Sequence, residues 1–136
     1  MTQPAVYVAS RASVLERGAM WRALRTAGAN IISTWIDEDE EGLTGAFDEL
    51  WTRIEREIRV ADRLVLYAES SDFPLKGAYV EVGMALAMGK PVFVVVPGVT
   101  LSPRSMRPLG SWAAHPLVRF CDSVEQGRRA SSDYSA

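Results

Sequence analysis

Short apolar runs alternate along this chain with longer segments of helical periodicity. A continuous apolar run of about four to eight residues is typical of a buried strand, whereas apolar residues three and four positions apart are typical of a helix. The pattern predicts strands at residues 5–9, 30–36, 63–67, 91–96 and 117–121. It predicts helices from a cap at Ser10 or Ser13 to about Ala27, at 44–60 and 77–88, and a short last helix capped by Asp122 or Ser123.

Regular alternation of strands and helices without internal repeats predicts an α/β domain. We expect a five-stranded parallel sheet in the order 2-1-3-4-5, with right-handed crossovers and helices on both faces. Ligands bind such a sheet beyond the carboxyl ends of its strands, near the point where the strand order reverses. The loops that end the first four predicted strands, at 9–12, 35–42, 68–76 and 97–116, are therefore the candidate binding loops.

Glu81 is the one charged residue between Lys76 and Lys90. Its helix is apolar on nearly every side, as expected for a helix buried against a sheet or a partner subunit. A buried carboxylate is costly unless something holds it, although the positive end of a helix dipole can stabilise one in the first turns. The simpler interpretation is the ordinary preference of Glu for a helix start. The all-round apolar context favours a functional carboxylate.

Composition limits the chain to one ordinary domain, predicted at residues 1–130, with a flexible tail at 131–136. A net charge of −2 argues against nucleic acid or an anionic membrane surface as the main partner. A single cysteine, Cys121, excludes an intrachain disulfide. No spanning helix or signal peptide is predicted, so we expect a cytoplasmic protein.

Familiar cofactor motifs are missing from the chain, and we expect no cofactor and no metal site. There is no G-x-G-x-x-G or Walker-type motif. His115 and Cys121 are interpreted as loop and strand residues rather than zinc ligands or catalytic groups. The acidic run at 37–41 could hold Mg²⁺, but adjacent like charges are more often solvated.

The first βα turn reads Ser10-Arg11-Ala12-Ser13 and offers hydroxyls and a guanidinium beside a helix N-terminus. This combination suits a phosphate group, such as that of a nucleoside 5′-monophosphate. Ordinary N-capping by a serine beside a solvated Arg11 is the alternative, and it is favoured. Trp35 at the end of the second predicted strand could stack on a base, although burial in the core is the commoner role of a tryptophan.

Three segments together resemble the nucleoside 2-deoxyribosyltransferase-like family. They are V-Y-V-A-S at 6–10, A-D-R-L-V-L-Y at 61–67 and G-A-Y-V-E-V-G-M-A-L-A-M-G-K-P-V at 77–92. The resemblance implies a flavodoxin-like (Rossmann-like) sheet in which Glu81 is the nucleophile on the anomeric carbon of a nucleoside. It also implies that Tyr7 lies beside the nucleophile and that Asp72 contacts sugar or base. Glu55 and Glu57 are candidates for a further acidic residue of the family.

Cleavage of an N-glycosidic bond suits these residues, because a carboxylate near the anomeric carbon can trap the sugar as a covalent ester. Asp72 or Glu69 is a candidate for the acid that protonates the leaving base, if either approaches Glu81. Tyr7 could orient Glu81 through its hydroxyl, or could be a core residue. The candidate catalytic residues are Glu81, Asp72 and Tyr7, and the candidate substrate-binding residues are Ala9, Ser10, Arg11, Trp35, Glu69, Lys76 and Gly77.

The predicted function is cleavage or transfer of a (deoxy)nucleoside or its monophosphate through Glu81. A nucleotide-binding or sensing module on the same fold remains the alternative, because a fold does not fix a function. We also expect a homodimer or larger homo-oligomer, because one layer of helices on each face cannot easily hide Trp51, Tyr79, Met84 and Met88.

Overall fold

The computed structural model describes residues 3–38 and 46–131. Its strands are β1 (Val6–Ala9), β2 (Arg63–Tyr67), β3 (Val92–Val95) and β4 (Val118–Phe120). Its helices are α1 (Leu15–Thr26), α2 (Phe47–Val60), α3 (Gly77–Ala87) and α4 (Val124–Arg129), with short 3-10 helices at Thr34–Asp37, Ser70–Asp72 and Ser111–Ala114. Strands and helices are interleaved, so the predicted α/β class is confirmed.

The four described strands form one all-parallel sheet in the order β1-β2-β3-β4. The central strands β2 and β3 are continuous apolar runs apart from Arg63, and nearly all of their residues are buried. Such runs are typical of strands that are covered on both faces. Tyr7 of β1 pairs with Leu64 of β2, which pairs in turn with Val92 of β3.

The first, third, fourth and fifth predicted strands lie side by side in the predicted order. The second predicted strand, at 30–36, is wrong, so the described sheet has four strands instead of the predicted five. A single parallel bridge, from Val6 to Ile31, takes its place on the outer edge of β1. Beyond the bridge, side chains satisfy this edge: the Val8 N–H donates to Ser33 Oγ (3.1 Å), and Trp35 Nε1 donates to the Val8 carbonyl (2.7 Å). Since these groups are already bonded, the backbone leaves the sheet and forms the 3-10 helix Thr34–Asp37.

Helices cover both faces of the sheet, as predicted. On one face, Ala78, Val82 and Ala85 of α3 join a buried cluster with Tyr7 and Leu66. On the other face, a second buried cluster forms around Trp21 of α1. Helix α3 ends one residue before the predicted boundary, and Gly89 follows it with a φ of 76°, as expected for a C-terminal cap.

The predicted caps were right at one helix and wrong at another. Helix α1 has Val14 as its N-cap, with no side-chain bond. The serines proposed for that role bond elsewhere: Ser10 Oγ accepts from Trp21 Nε1 (2.9 Å), and Ser13 Oγ accepts from Arg11 Nε (3.2 Å). At α4, Ser123 Oγ accepts from the Gln126 N–H (3.1 Å), so the predicted serine cap is confirmed.

The segment at 97–116 covers part of the apolar surface that suggested a second copy of the chain. Trp112 packs edge-on against Tyr79, with ring centroids 5.5 Å apart, and the Tyr79 hydroxyl donates to the Pro108 carbonyl (2.9 Å). Phe47 and Val80 remain 72% and 51% exposed. Assembly into a homodimer or larger oligomer stays a prediction.

The remaining structural predictions concern a membrane-spanning helix, the residues His115 and Cys121, and the C-terminal tail. In the part of the chain that the structure describes, no helix is long and apolar enough to cross a membrane. His115 follows the 3-10 helix Ser111–Ala114, and its Nδ1 accepts from the Leu117 N–H (3.0 Å), while Cys121 is buried just after β4. The predicted tail lies outside the described residues apart from Ser131.

Candidate functional site

A cavity of about 450 Å³ opens at the carboxyl ends of the first strands. Three of the four predicted binding loops contribute to its lining together with α2 and α3, whereas the segment at 97–116 packs on α3 and takes no part. The described lining residues are Ser10, Arg11, Ala12, Ser13, Trp35, Glu38, Leu50, Trp51, Ile54, Pro74, Leu75, Lys76, Gly77, Ala78 and Glu81.

Glu81 lies on α3, and its carboxylate borders this cavity while only 8% of the residue is exposed. The Tyr7 hydroxyl, on β1, donates a hydrogen bond to Glu81 Oε1. A Cβ placed on Gly77 would lie 3.8 Å from Glu81 Oε2. One carboxylate oxygen is thus held by Tyr7, while the other lies near Gly77, in the wall of the cavity.

Burial raises the pKa of Glu81 to about 8, opposed by the Tyr7 hydrogen bond and reinforced by the negative charge of Glu57. Burial also raises the pKa of Tyr7 far above its ordinary range, with a further contribution from the adjacent Glu81. Tyr7 therefore remains a proton donor at any working pH, whereas Glu81 gains its charge only near neutral to alkaline pH.

Two tryptophans line the cavity. Trp35 lies just beyond the edge of β1, where its indole N–H is bonded to Val8. The ring of Trp51, on α2, is 3.6 Å from a Cβ placed on Gly77. The sequence indicates Trp35 as a candidate for stacking on a base, with core burial as the commoner role, whereas Trp51 is expected to lie on a surface that a second copy of the chain covers. Its spacing with Ile54 and Ile58 gave no signal that it would border a cavity instead of the core.

The first βα turn brings positive charge to the cavity rim. Arg11 Nη1 donates to the Asp72 carbonyl oxygen (3.0 Å), and Arg11 Nε donates to Ser13 Oγ (3.2 Å). A guanidinium has five N–H donors, so these bonds hold its position without using its full capacity. Lys76, just before α3, also lines the cavity and is exposed. The first βα turn, which is a candidate phosphate site, and Lys76 thus border the same cavity as Glu81.

Asp72 and Glu69 are not among the described residues that line the cavity. Arg17 binds Asp72 through two nitrogens, at 3.0 and 3.1 Å, and the Glu69 N–H donates to Asp72 Oδ2 (2.8 Å). Glu69 lies 3.4 Å from Arg17 and accepts from the Tyr67 hydroxyl. This arrangement fixes the loop between β2 and α3, and it brings neither predicted acid to Glu81. Ala9, predicted to bind substrate, is fully buried in the core.

The acidic run at 37–41 separates into different environments. Asp37 pairs with Arg25 on the surface (2.7 Å), while Glu38 lines the cavity and pairs with Arg53. Residues 39–41 lie outside the described residues. Within the described ranges, no group of three or more potential metal ligands occurs. Glu38 could not be predicted as a site residue from the sequence, because a run of like charges normally indicates a solvated loop.

The two acids considered as substitutes for a further family carboxylate also lie outside the described lining. Glu57 accepts from the Thr34 N–H (3.1 Å) and hydroxyl (2.6 Å), and it acts on Glu81 only through its charge. Glu55 forms an i,i+4 ion pair with Arg59 (2.9 Å) on the surface of α2.

No protein-family model matches this chain, and a search of curated proteins also found no match. The cavity itself combines a buried carboxylate, two indole rings and a cationic rim. Such a site suits a ligand with a flat ring, a polar centre within reach of the carboxylate, and an anionic end.

Proposed function

We propose that this protein cleaves or transfers the N-glycosidic bond of a (deoxy)nucleoside or its 5′-monophosphate, with Glu81 as the nucleophile, as a member of the nucleoside 2-deoxyribosyltransferase-like family. The observation that carries the proposal is the buried pair of Glu81 and Tyr7 beside a ligand-sized cavity. A buried carboxylate with a raised pKa in a cavity is typical of a functional group rather than of a structural one.

In the proposed reaction, ionised Glu81 attacks the anomeric carbon of the sugar. The bond from this carbon to the base breaks, and the departing nitrogen keeps the electron pair and takes up a proton from water. The sugar remains bound to Glu81 as an ester. Water or a second base then attacks the same carbon, gives up one proton to the solvent and releases the carboxylate, which gives hydrolysis or transfer respectively.

Tyr7 supports this cycle by donating to Glu81 Oε1. Its hydrogen bond stabilises the ionised carboxylate, since it opposes the effect of burial on the pKa of Glu81. Tyr7 therefore increases the fraction of protein that carries a charged nucleophile at neutral pH.

A panel of deoxy- and ribonucleosides and their 5′-monophosphates, incubated with and without a free acceptor base and separated by chromatography, tests the proposal. We expect release of free base or formation of a new nucleoside from at least one substrate. Binding of a substrate without any change in its glycosidic bond would favour a nucleotide-binding module instead.

Substitution Tyr7→Phe is expected to shift the pH profile of kcat/KM to higher pH. Without the phenol hydroxyl, the pKa of Glu81 rises further, and a smaller fraction of the nucleophile is ionised at neutral pH. The profile should be recorded for both proteins from about pH 6 to about pH 10. Superimposable profiles would contradict the assigned role of Tyr7. The matched control is Tyr79→Phe, which removes a hydroxyl that is bonded to Pro108.

Substitution Arg11→Ala is expected to weaken binding of a 5′-monophosphate by about 1.5 to 3 kcal/mol, the range for hydrogen bonds to charged groups, and to leave the unphosphorylated nucleoside nearly unchanged. Calorimetric titration of both ligands measures the difference. Arg56→Ala, on the exposed surface of α2, is the control. Equal losses for both ligands would assign Arg11 a structural role, and no loss for either would remove it from the site.

A further inference from the structure

Glu38 brings a second carboxylate to the cavity that holds Glu81. Its side chain is 13% exposed, and Arg53 on α2 donates to its Oε2. It follows Trp35 by three residues on the same connection, so a carboxylate and an indole border the cavity from one loop. Glu38 is thus fixed by an ion pair at the cavity wall.

A carboxylate paired with arginine remains a hydrogen-bond acceptor, because its two oxygens offer about four lone-pair positions. Its planar geometry suits two parallel N–H donors on one ligand edge. An acceptor on that edge would instead face negative charge, which is unfavourable in a partly buried site.

On the basis of the proposed function, we infer that Glu38 selects nucleosides whose base presents two adjacent N–H donors, which among the common bases is guanine. Its ring N–H and exocyclic amino group lie side by side and can both donate to the carboxylate. Hypoxanthine keeps the ring N–H but lacks the amino group, and adenine presents a ring acceptor at the equivalent position. Indole rings at Trp35 and Trp51 provide flat surfaces for any of these purines without distinguishing them.

The inference is tested in protein carrying Glu81→Gln, so that no turnover interferes with binding. Calorimetry should give a Kd for deoxyguanosine about 10- to 100-fold lower than for deoxyinosine, the effect of one hydrogen bond to a charged acceptor. Deoxyadenosine should bind more weakly still. Addition of Glu38→Gln, which keeps an amide oxygen for Arg53, should reduce the preference for deoxyguanosine over deoxyinosine to about threefold or less.

Asp37→Asn is the matched control, because it removes the neighbouring negative charge, which pairs with Arg25 outside the cavity. It should leave the preference unchanged. Equal affinities for deoxyguanosine and deoxyinosine in the Glu81→Gln protein would overturn the inference, as would a preference that survives Glu38→Gln or an absence of binding by all three nucleosides. The comparison of deoxyguanosine with deoxyinosine in the Glu81→Gln protein does not depend on whether the Glu38 variant folds.

Failure of the proposed function would be seen in the chromatographic panel rather than in the binding measurements. In that case the wild-type protein would leave every glycosidic bond in the panel intact, whether or not the binding preference for deoxyguanosine is present.

Discussion

Replacement of Glu81 by glutamine is expected to lower kcat by roughly 10³-fold or more while the fold is retained, because it removes the nucleophile. The glutamine amide has the size of the carboxylate, and its oxygen can still accept from Tyr7. Alanine at this position should be equally inactive, but it would leave the buried Tyr7 hydroxyl without its partner. Initial rates on the best substrate of the panel measure the effect.

Glu55→Gln is the control for loss of a carboxylate, since Glu55 is paired with Arg59 on the surface of α2. It should retain the activity of the wild-type protein. Comparable activity of the Glu81→Gln protein would exclude Glu81 as the nucleophile.

The difference in stability between the wild-type and Glu81→Gln proteins is expected to change with pH. Burial raises the pKa of Glu81 to about 8 in the folded chain, from an ordinary value of 4.5. Between these values the folded state holds a proton that the unfolded state releases, so the contribution of Glu81 to stability is full at low pH and is lost as the pH rises through the folded pKa. Glutamine does not titrate.

We therefore expect the free energy of unfolding of the wild-type protein to fall, relative to Glu81→Gln, by about 2 kcal/mol or more between about pH 5 and about pH 9. Denaturant unfolding at a series of pH values measures this difference. The Glu55→Gln protein, whose changed side chain is exposed, should follow the wild-type curve. Parallel curves for wild type and Glu81→Gln would show that Glu81 titrates normally.

The buried strands could be predicted from the sequence because their apolar runs have no other stable place in a small domain. The predicted 63–67 strand coincides with β2. The strand predicted at 30–36 is absent for a local reason that the periodicity of apolar residues does not reveal. The segment is apolar enough for a strand, but Ser33 and Trp35 bond to both backbone groups of Val8 through their side chains.

The candidate site could be predicted in part. Tyr7 and Glu81 are 74 residues apart, and the structure joins them because β1 lies beneath α3. Asp72 had no comparable signal: Arg17, which occupies its carboxylate, is 55 residues away. Glu38 belongs to an acidic run and Trp51 to an ordinary amphipathic helix pattern, so neither residue stood out as a member of the site. Contacts of this kind depend on tertiary packing, which sequence spacing does not encode.

The most direct test of the covalent mechanism is the mass of the intact protein after incubation with 2′-fluoro-2′-deoxynucleosides. Fluorine beside the anomeric carbon destabilises the charge that develops there and slows release of the sugar ester. We expect a mass increase of one fluorinated sugar, located on the peptide that contains Glu81 and absent from the Glu81→Gln protein. Cleavage of the nucleoside with the label on another residue, or with the same label in the Glu81→Gln protein, would contradict it.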